Sequence, residues 1–186
     1  MTAIADDIWS ILRELAQSQK ETDRKIQETA VQMKETDGKL MEVTASIGKL
    51  GNRLGEFIED AVRPSAVRLF RNRGIEVHEV HQKVSSQRGE EGVEIDLLVV
   101  NDTDMVAIEC KSNLSLDDVN AHLERLAKVK RLMPKYASSR IMGAVAAMVI
   151  PDNVARYAYR KGLFVIGQSG DHLEIRNAVD FASAIW

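Results

Sequence analysis

Cysteine, proline and long apolar runs are all scarce in this sequence, and each scarcity excludes something. The single cysteine, Cys110, rules out an intrachain disulfide framework. The first residues lack the basic and apolar segments of a signal peptide, so we expect a protein of the reducing cytoplasm. The longest apolar run, residues 142–150, is less than half of the ~20 residues that a membrane-spanning helix needs. We therefore expect no membrane partner.

Charge of one sign is not in excess either. The 186 residues contain 25 Lys and Arg against 28 Asp and Glu, for a net charge of −3. A chain with this balance has no global basic field that would draw it onto nucleic acid, so any such binding must use a local patch. The length suits one globular domain with an accessory element.

A seven-residue repeat runs through the first part of the chain, where residues 8–57 contain no proline. Three consecutive heptads, residues 20–26, 27–33 and 34–40, are near copies of one another. The pattern predicts a coiled-coil helix over residues 1–50. The a positions are Leu12, Gln19, Ile26, Met33, Leu40, Ile47 and Leu54, and the d positions are Leu15, Thr22, Thr29, Thr36, Val43, Leu50 and Phe57.

Two interpretations of this repeat are open. Thr22, Thr29 and Thr36 make the middle of the seam polar, and Gly38 and Gly48 interrupt it, which fits a solvated single helix or a partly disordered tail. The apolar a and d residues at both ends instead favour a homo-oligomer, because such a stripe needs a partner. We expect the oligomer, with a parallel dimer preferred.

Residues 51–186 form the second predicted domain. A helix over residues 54–73 is expected to bend or break near Pro64 and to end at Gly74. Residues 101–104 supply a tight turn that makes the strands on either side a hairpin. The order of elements predicts an α/β domain with a mixed sheet flanked by helices. Strands are predicted at residues 75–84, 93–100, 105–111, 141–150, 163–166 and 173–175, and further helices at 116–133 and 152–161.

Charged residues interrupt two of these apolar strands. Alternation along a strand places Glu109 and Lys111 on one face, and in the neighbouring strand it places Asp96 opposite to Ile95 and Leu97. The hairpin brings Asp96 beside Glu109. One interpretation is a purely structural cluster in which Lys111 bridges both carboxylates. The other is a Mg²⁺ site, since two buried carboxylates with one lysine leave a net negative charge that suits a hard cation.

The motif formed by Asp96, twelve intervening residues and Glu109-Cys110-Lys111 resembles that of the PD-(D/E)XK nuclease superfamily. The resemblance covers most of the second domain and implies a restriction-endonuclease-like sheet. Ile95 stands where the superfamily motif has proline, a loosely held position. The Lys-Glu-Thr-Asp heptads joined to such a domain also resemble a group of uncharacterised bacterial coiled-coil proteins with nuclease-like C-terminal domains.

This resemblance implies roles for the motif residues. Asp96 and Glu109 would bind Mg²⁺ or Mn²⁺ together with the main-chain carbonyl of Cys110. Lys111 would orient the attacking water or help to deprotonate it. Members of the superfamily often add an acidic ligand from the first helix.

Glu59 is the expected ligand from the first helix, with Glu56 as the second choice. Its place in the order of elements is the reason for choosing it. Glu59 and Arg63 are also spaced for a surface ion pair, which is the alternative role.

By this resemblance the expected function is metal-dependent hydrolysis of DNA phosphodiester bonds, and DNA is the expected partner. The alternative is a non-catalytic adaptor or nucleic-acid-binding module that keeps a nuclease-like fold. Basic residues on two helices are candidates for phosphate contacts, although each set also fits the ordinary solvated face of a helix. One set is Arg125, Lys128, Arg131 and Lys135, and the other is Arg63, Arg68, Arg71 and Arg73.

Overall fold

The computed structural model describes residues 2–186, except for the side chains of residues 2–7, 49 and 52. The chain divides into two compact units, Met1–Leu50 and Gly51–Trp186, which we call unit 1 and unit 2. In the described residues, no helix has the length and apolar character that crossing a membrane requires.

Unit 1 is helical and forms the first part of α1 (Thr2–Arg71), which confirms the predicted long N-terminal helix. Its heptad residues are exposed: Ile26 is 61% exposed, Met33 65% and Ile47 65%. The hydroxyls of the seam threonines donate hydrogen bonds to carbonyls four residues earlier in the same helix, as Thr29 does to Lys25 at 2.8 Å. Such back-bonding satisfies the hydroxyls without a partner chain.

The last part of α1 packs on the sheet of unit 2 through residues three and four apart, as an amphipathic helix does. These buried residues are Ile58, Val62, Ala66, Leu69 and Phe70.

Of the bend or break predicted near Pro64, the break is wrong, because α1 continues through Pro64 to Arg71. Proline removes one backbone donor, but the packed residues on both sides of it hold the helix together. Gly74, with φ of 75°, follows the end of the helix as predicted. Arg73 then fixes the exit of the chain by donating hydrogen bonds to the carbonyls of Ile175 and Asn177.

Unit 2 contains a six-stranded mixed sheet flanked by helices, which confirms the predicted fold class. The strands lie side by side in chain order; β3, β4 and β5 are parallel neighbours, and the other neighbouring pairs are antiparallel. The strands are β1 (Glu79–Arg88), β2 (Glu91–Val100), β3 (Asp104–Asn113), β4 (Arg140–Val149), β5 (Phe164–Ser169) and β6 (His172–Ile175). The remaining helices are α2 (Leu116–Leu132) and α3 (Asp152–Arg160).

The first strand begins four residues later than predicted, at Glu79, and ends four residues later, at Arg88. The reason is pairing, since Glu79 lies opposite Val100, the last residue of β2. The other boundaries differ from the prediction by only a few residues.

Apolar side chains cover both faces of the sheet. The face towards α1, which we call the α1 face, buries Val99, Val106 and Ile108 among other residues. The opposite face, the α2/α3 face, includes Leu98 and Val145 and packs against both crossover helices. A charged group placed in the middle strands is therefore buried and needs compensation.

Candidate active site at the β2–β3 hairpin

The turn between β2 and β3 is the predicted tight turn over residues 101–104. The side chain of Asn101 accepts hydrogen bonds from the backbone N–H groups of Thr103 and Asp104 at 2.7 and 2.5 Å. An Asx turn of this kind fixes the hairpin locally. It thereby sets which residues of β2 and β3 face each other.

Side-chain alternation along β2 changes phase at Asp96. Ile95 packs on the α2/α3 face, but Leu97 packs on the α1 face, so the prediction that these two residues share a face is wrong. The described β1–β2 ladder omits the pair formed by Lys83 and Asp96, and Lys83 has a φ of +49°. The β2–β3 ladder ends at Leu97. Asp96 therefore has no ladder partner on either side, and the strand can twist there so that the following side chain points to the other face.

The carboxylate of Asp96 lies in the gap that opens where β2 and β3 separate. Its Oδ2 atom accepts a hydrogen bond from the backbone N–H of Cys110 at 2.7 Å. In an extended strand the N–H and C=O groups of one residue point to the same side, so the Cys110 carbonyl faces this gap as well. The Cys110 side chain packs in the α1 face, and burial raises the pKa of its thiol, which excludes a thiolate nucleophile.

Glu109 is the most deeply buried carboxylate of the hairpin, at 1% exposure. Two cations compensate it: Lys111 Nζ lies 2.8 Å from its Oε1 atom, and Arg125 Nη2 of α2 lies 2.7 Å from the same atom. Both cations contact the Oε1 atom, whereas no donor of the described residues is directed at the Oε2 atom. Oε2 therefore keeps unused capacity to bind a ligand.

His122 of α2 closes the buried side of Glu109. Its Nε2 atom lies 3.2 Å from the carbonyl of Ala107, which only accepts, so Nε2 carries the proton. The unprotonated Nδ1 atom then faces Glu109 Oε2 at 3.9 Å. Burial lowers the pKa of His122 to about 4, so the ring is neutral at pH 7 and adds no third positive charge.

A polar cavity of about 390 Å³ opens beside Asp96. Burial, and then the charge of Glu109, raises the pKa of Asp96. Burial, and then the charge of Asp96, raises the pKa of Glu59 on α1, which is 8% exposed. These effects place Asp96 within electrostatic reach of both Glu109 and Glu59, an arrangement that attracts cations. The lining residues include Glu56, Glu59, Lys83, Glu94, Asp96 and Lys111.

Lys111 is a cation in this arrangement. Burial acts to lower its pKa, but the bond to Glu109 and the charges of both hairpin carboxylates outweigh burial, so the pKa of Lys111 is raised. A protonated lysine orients and stabilises anions, but it does not accept a proton. The geometry therefore favours the orienting role of Lys111 over the deprotonating role.

The donor set fits a hard divalent cation. In the described residues no group of three or more His, Cys, Asp and Glu side chains is arranged to hold a metal ion. Side chains alone therefore do not complete a site, and a bound cation would also need the main-chain carbonyl of Cys110 and water as ligands, as Mg²⁺ commonly does. The observation that favours this fit is the Glu109 Oε2 atom, at which no donor of the described residues is directed.

The structure brings together the residues that the motif singles out, namely Asp96, Glu109, Cys110 and Lys111, with Glu59 nearby. Their roles stay predictions. Glu59 lies at the cavity, and the described ion pair of Arg63 is with Asp60 at 3.8 Å. The second choice, Glu56, is paired with Lys83 at 3.0 Å.

Two residues of α2 were missed as parts of this site. Sequence reasoning placed Arg125 among the candidates for phosphate contacts and did not single out His122. One signal was available, because His122 falls on the helical stripe that also buries Val119 and Leu126. No local signal pairs Arg125 with Glu109.

Several candidate DNA-binding residues have partners within the chain. Arg131 pairs with Glu91, and Lys135 lies 5.3 Å from the ring centroid of Tyr136. In the other set, Arg71 donates a hydrogen bond to a backbone carbonyl, as Arg73 does. DNA contacts by either set stay predictions.

Comparisons with known proteins find partial likenesses. No protein-family model and no curated protein sequence matches the chain. A solved structure of a protein of unknown function, AF1548, is 19% identical over 55% of this chain and 54% of its own, with a TM-score of 0.42. A repair endonuclease from Pyrococcus abyssi is 16% identical over 57% of this chain and 45% of its own, with a TM-score of 0.39.

A third structure, Can2 from Sulfobacillus thermosulfidooxidans in complex with cyclic tetra-adenylate, is 13% identical over 60% of this chain and 33% of its own, with a TM-score of 0.39. This chain thus spans only a third to about half of the solved chains it matches. Likeness at this level assigns no activity to the chain.

The first prediction concerns Arg125. Arg125→Gln removes one of the two cations that compensate the buried Glu109, so we expect a loss of about 1–3 kcal/mol in the free energy of unfolding. Urea unfolding at pH 7 measures it. Adding Glu109→Gln to Arg125→Gln should recover part of the loss, as a double-mutant cycle shows for coupled groups. An Arg125→Gln protein as stable as Lys128→Gln would contradict the role of this ion pair.

The second prediction concerns Glu59. Because its pKa is raised in the folded protein, the ionised carboxylate is disfavoured there, and the resulting loss of stability grows as pH rises through that pKa. Glu59→Gln should therefore melt at a higher temperature than the parent at pH 7 in EDTA, and the difference should vanish in acid. Glu124→Gln, which changes an exposed glutamate of α2, is the control. A destabilised Glu59→Gln would show that Glu59 is already compensated.

Proposed function

We propose that the chain hydrolyses phosphodiester bonds of DNA with Mg²⁺ or Mn²⁺ held at the β2–β3 hairpin. The observation that supports this best is that Asp96, in the gap between the strands, lies near the buried Glu109. Asp96 also lines a polar cavity together with Lys111, which contacts Glu109. A carboxylate beside a cavity whose pKa is raised by burial and by a neighbouring carboxylate, as that of Asp96 is, is characteristic of functional sites. Apolar packing of the sheet alone does not require buried carboxylates such as Asp96 and Glu109.

In this proposal Asp96, Glu109 and the main-chain carbonyl of Cys110 hold the metal ion, and Glu59 is a further ligand. When bound, a divalent cation would stabilise the charge of the scissile phosphate and lower the pKa of a nearby water. The residues supply oxygen donors, which hard cations prefer. The ordered hairpin keeps these donors in register before substrate arrives.

The remaining polar residues act on the substrate and on the carboxylates. Lys111, protonated through its contact with Glu109, would donate a hydrogen bond to a phosphate oxygen or to the attacking water. Arg125 would hold Glu109 from the side of α2, and the neutral His122 would limit water access behind it. This division leaves the cavity side of the hairpin open for DNA.

A non-catalytic adaptor or nucleic-acid-binding module is the second candidate. One observation favours it: Lys111 and Arg125 already compensate Glu109. A structural ion cluster would look the same. The two candidates differ in whether Asp96 and Glu109 take up a divalent cation.

We also propose that unit 1 forms a homo-oligomer, with a parallel dimer preferred. Its exposed apolar residues recur at heptad spacing, and they gain burial only against another helix. The threonine hydroxyls in the middle of the seam bond within their own helix, so a helix–helix seam would leave them satisfied. An oligomer of this kind would give each assembly more than one hairpin site.

The third prediction tests the hydrolytic site. The parent should bind Mg²⁺ or Mn²⁺ in calorimetry and cut supercoiled, linear or branched DNA. Asp96→Asn should lose metal binding, whereas Lys111→Met should keep it and lose about 100-fold or more in cleavage rate, because a positioned charge and donor is removed.

Asp102→Asn is the matched control for this test, since Asp102 is an exposed carboxylate in the turn of the same hairpin. It should bind metal and cut DNA as the parent does. A parent that binds no divalent cation would end the metal-site proposal. Metal binding without cleavage of any DNA would favour the adaptor.

The fourth prediction tests the oligomer. Ile26 and Val31 are about equally exposed in the single chain, at 61% and 59%, but only Ile26 occupies a seam position. Ile26→Asp should therefore lower the mass measured by sedimentation equilibrium and reduce the helical signal in circular dichroism, because an isolated helix in water is marginal. Val31→Asp should change neither. A monomeric parent, or equal effects of the two variants, would contradict a heptad seam.

A further inference from the structure

The outward face of α3 carries two exposed arginines, Arg156 and Arg160, one helical turn apart. Neither forms an ion pair or a side-chain hydrogen bond with any residue in the described part of the chain. Together with Asn153 and Tyr159 they line an open groove of about 500 Å³. We call these four residues the α3 groove. None of them is acidic, so nothing in the groove lining offsets the two positive charges.

This freedom distinguishes the two arginines of the α3 groove from the two arginines of α2. Arg125 is committed to Glu109, and Arg131 to Glu91. Arg140, which follows α2 at the start of β4, is committed to Asp104 at 2.6 Å. A cation already paired with a carboxylate gains little from a phosphate, because it must first give up its partner. The uncompensated positive charge of unit 2 therefore includes the α3 groove.

Neighbouring groups add to the positive character of this surface. The charge of Arg176 reaches Tyr159, and the Lys161 Nζ atom lies 5.4 Å from the ring centroid of Tyr157, the neighbour of the groove on α3. Asp152, at the start of α3, also acts on Tyr159 but does not line the groove. Burial raises the pKa of Tyr159, so its hydroxyl stays neutral and able to donate a hydrogen bond.

The Asn153 end of the α3 groove lies near the C-terminal ends of β3 and β4, towards which the hairpin site also lies. β3 and β4 are parallel and in register there, with Lys111 opposite Ala147 and Asn113 opposite Val149. The chain passes from β4 into α3 within three residues, so Asn153 lies just beyond the C-terminal end of β4. Lys111 of the site and Asn153 of the groove therefore lie towards the same end of the parallel strands, and α3 itself packs on the α2/α3 face.

We infer that the α3 groove binds the sugar–phosphate backbone of the nucleic acid on which the hairpin site acts. This inference rests on the proposed function for the identity of the substrate. Arg156 and Arg160 contact phosphates, and Asn153 and the Tyr159 hydroxyl supply uncharged donors. Contacts of this type fix the position of a duplex without reading its sequence. They also make binding depend on salt, because each neutralised phosphate releases counterions.

The fifth prediction tests the α3 groove by fluorescence anisotropy with a short fluorescein-labelled DNA duplex in EDTA, over a series of KCl concentrations. Arg156→Gln combined with Arg160→Gln should weaken binding about tenfold and reduce the slope of log affinity against log salt by about two. Arg156→Lys with Arg160→Lys keeps both charges and should retain most of the affinity. Both positions are exposed, so the thermal unfolding of these variants should match that of the parent.

Lys34→Gln combined with Lys39→Gln removes the same charge from two exposed residues of unit 1 and is the control. Equal loss in this control would overturn the inference, as would parent-like binding by the Arg156 and Arg160 double glutamine variant. A parent that binds no duplex at low salt would overturn it too. If only the Arg156 and Arg160 double glutamine variant loses binding, the inference is supported even when the parent cuts no DNA. If that variant binds DNA as the parent does and the parent cuts DNA, the inference is wrong but the proposed hydrolysis is not.

Discussion

The buried carboxylate of Glu109 is the constraint on which the arrangement of unit 2 depends. A charge inside an apolar sheet is tolerated only with close compensation, and here Lys111 and Arg125 provide it within 2.8 Å. Arg125 belongs to α2, so the same contact that neutralises the carboxylate also fixes how the crossover helix lies on the sheet. The fold and the candidate site are thus coupled through one oxygen atom.

Asp96 extends this coupling to the other side of the sheet. By accepting the Cys110 N–H, its carboxylate replaces the ladder partner that β3 loses where β2 turns away. The Cys110 N–H therefore stays hydrogen-bonded although the ladder is interrupted, and a polar cavity towards Glu59 opens there. Burial and neighbouring carboxylates raise the pKa values of Asp96 and Glu59, so the ionised forms of both groups are disfavoured there. Destabilisation of this kind is common where a site is built to bind something.

The two units present different surfaces for binding. Unit 1 exposes apolar residues at heptad spacing, whereas unit 2 exposes a polar cavity and a basic groove. Apolar stripes suit another helix, and unpaired arginines suit phosphates. The proposed oligomer and the proposed hydrolysis of DNA therefore draw on separate parts of the chain, and neither needs residues of the other.

From local patterns the sequence predicted the helices, apart from the continuity of α1 through Pro64, and also the six strands, the hairpin turn and the shared strand face of Glu109 and Lys111. Periodicity, turns and caps are local properties, which is why it did so. It did not determine the change of face at Asp96, which follows from the ladders on both sides of β2. Nor did it place Arg125 on Glu109 or leave Arg156 and Arg160 unpaired. These contacts join residues far apart in the chain, so only the packing of helices on the sheet decided which charges were compensated and which stayed free.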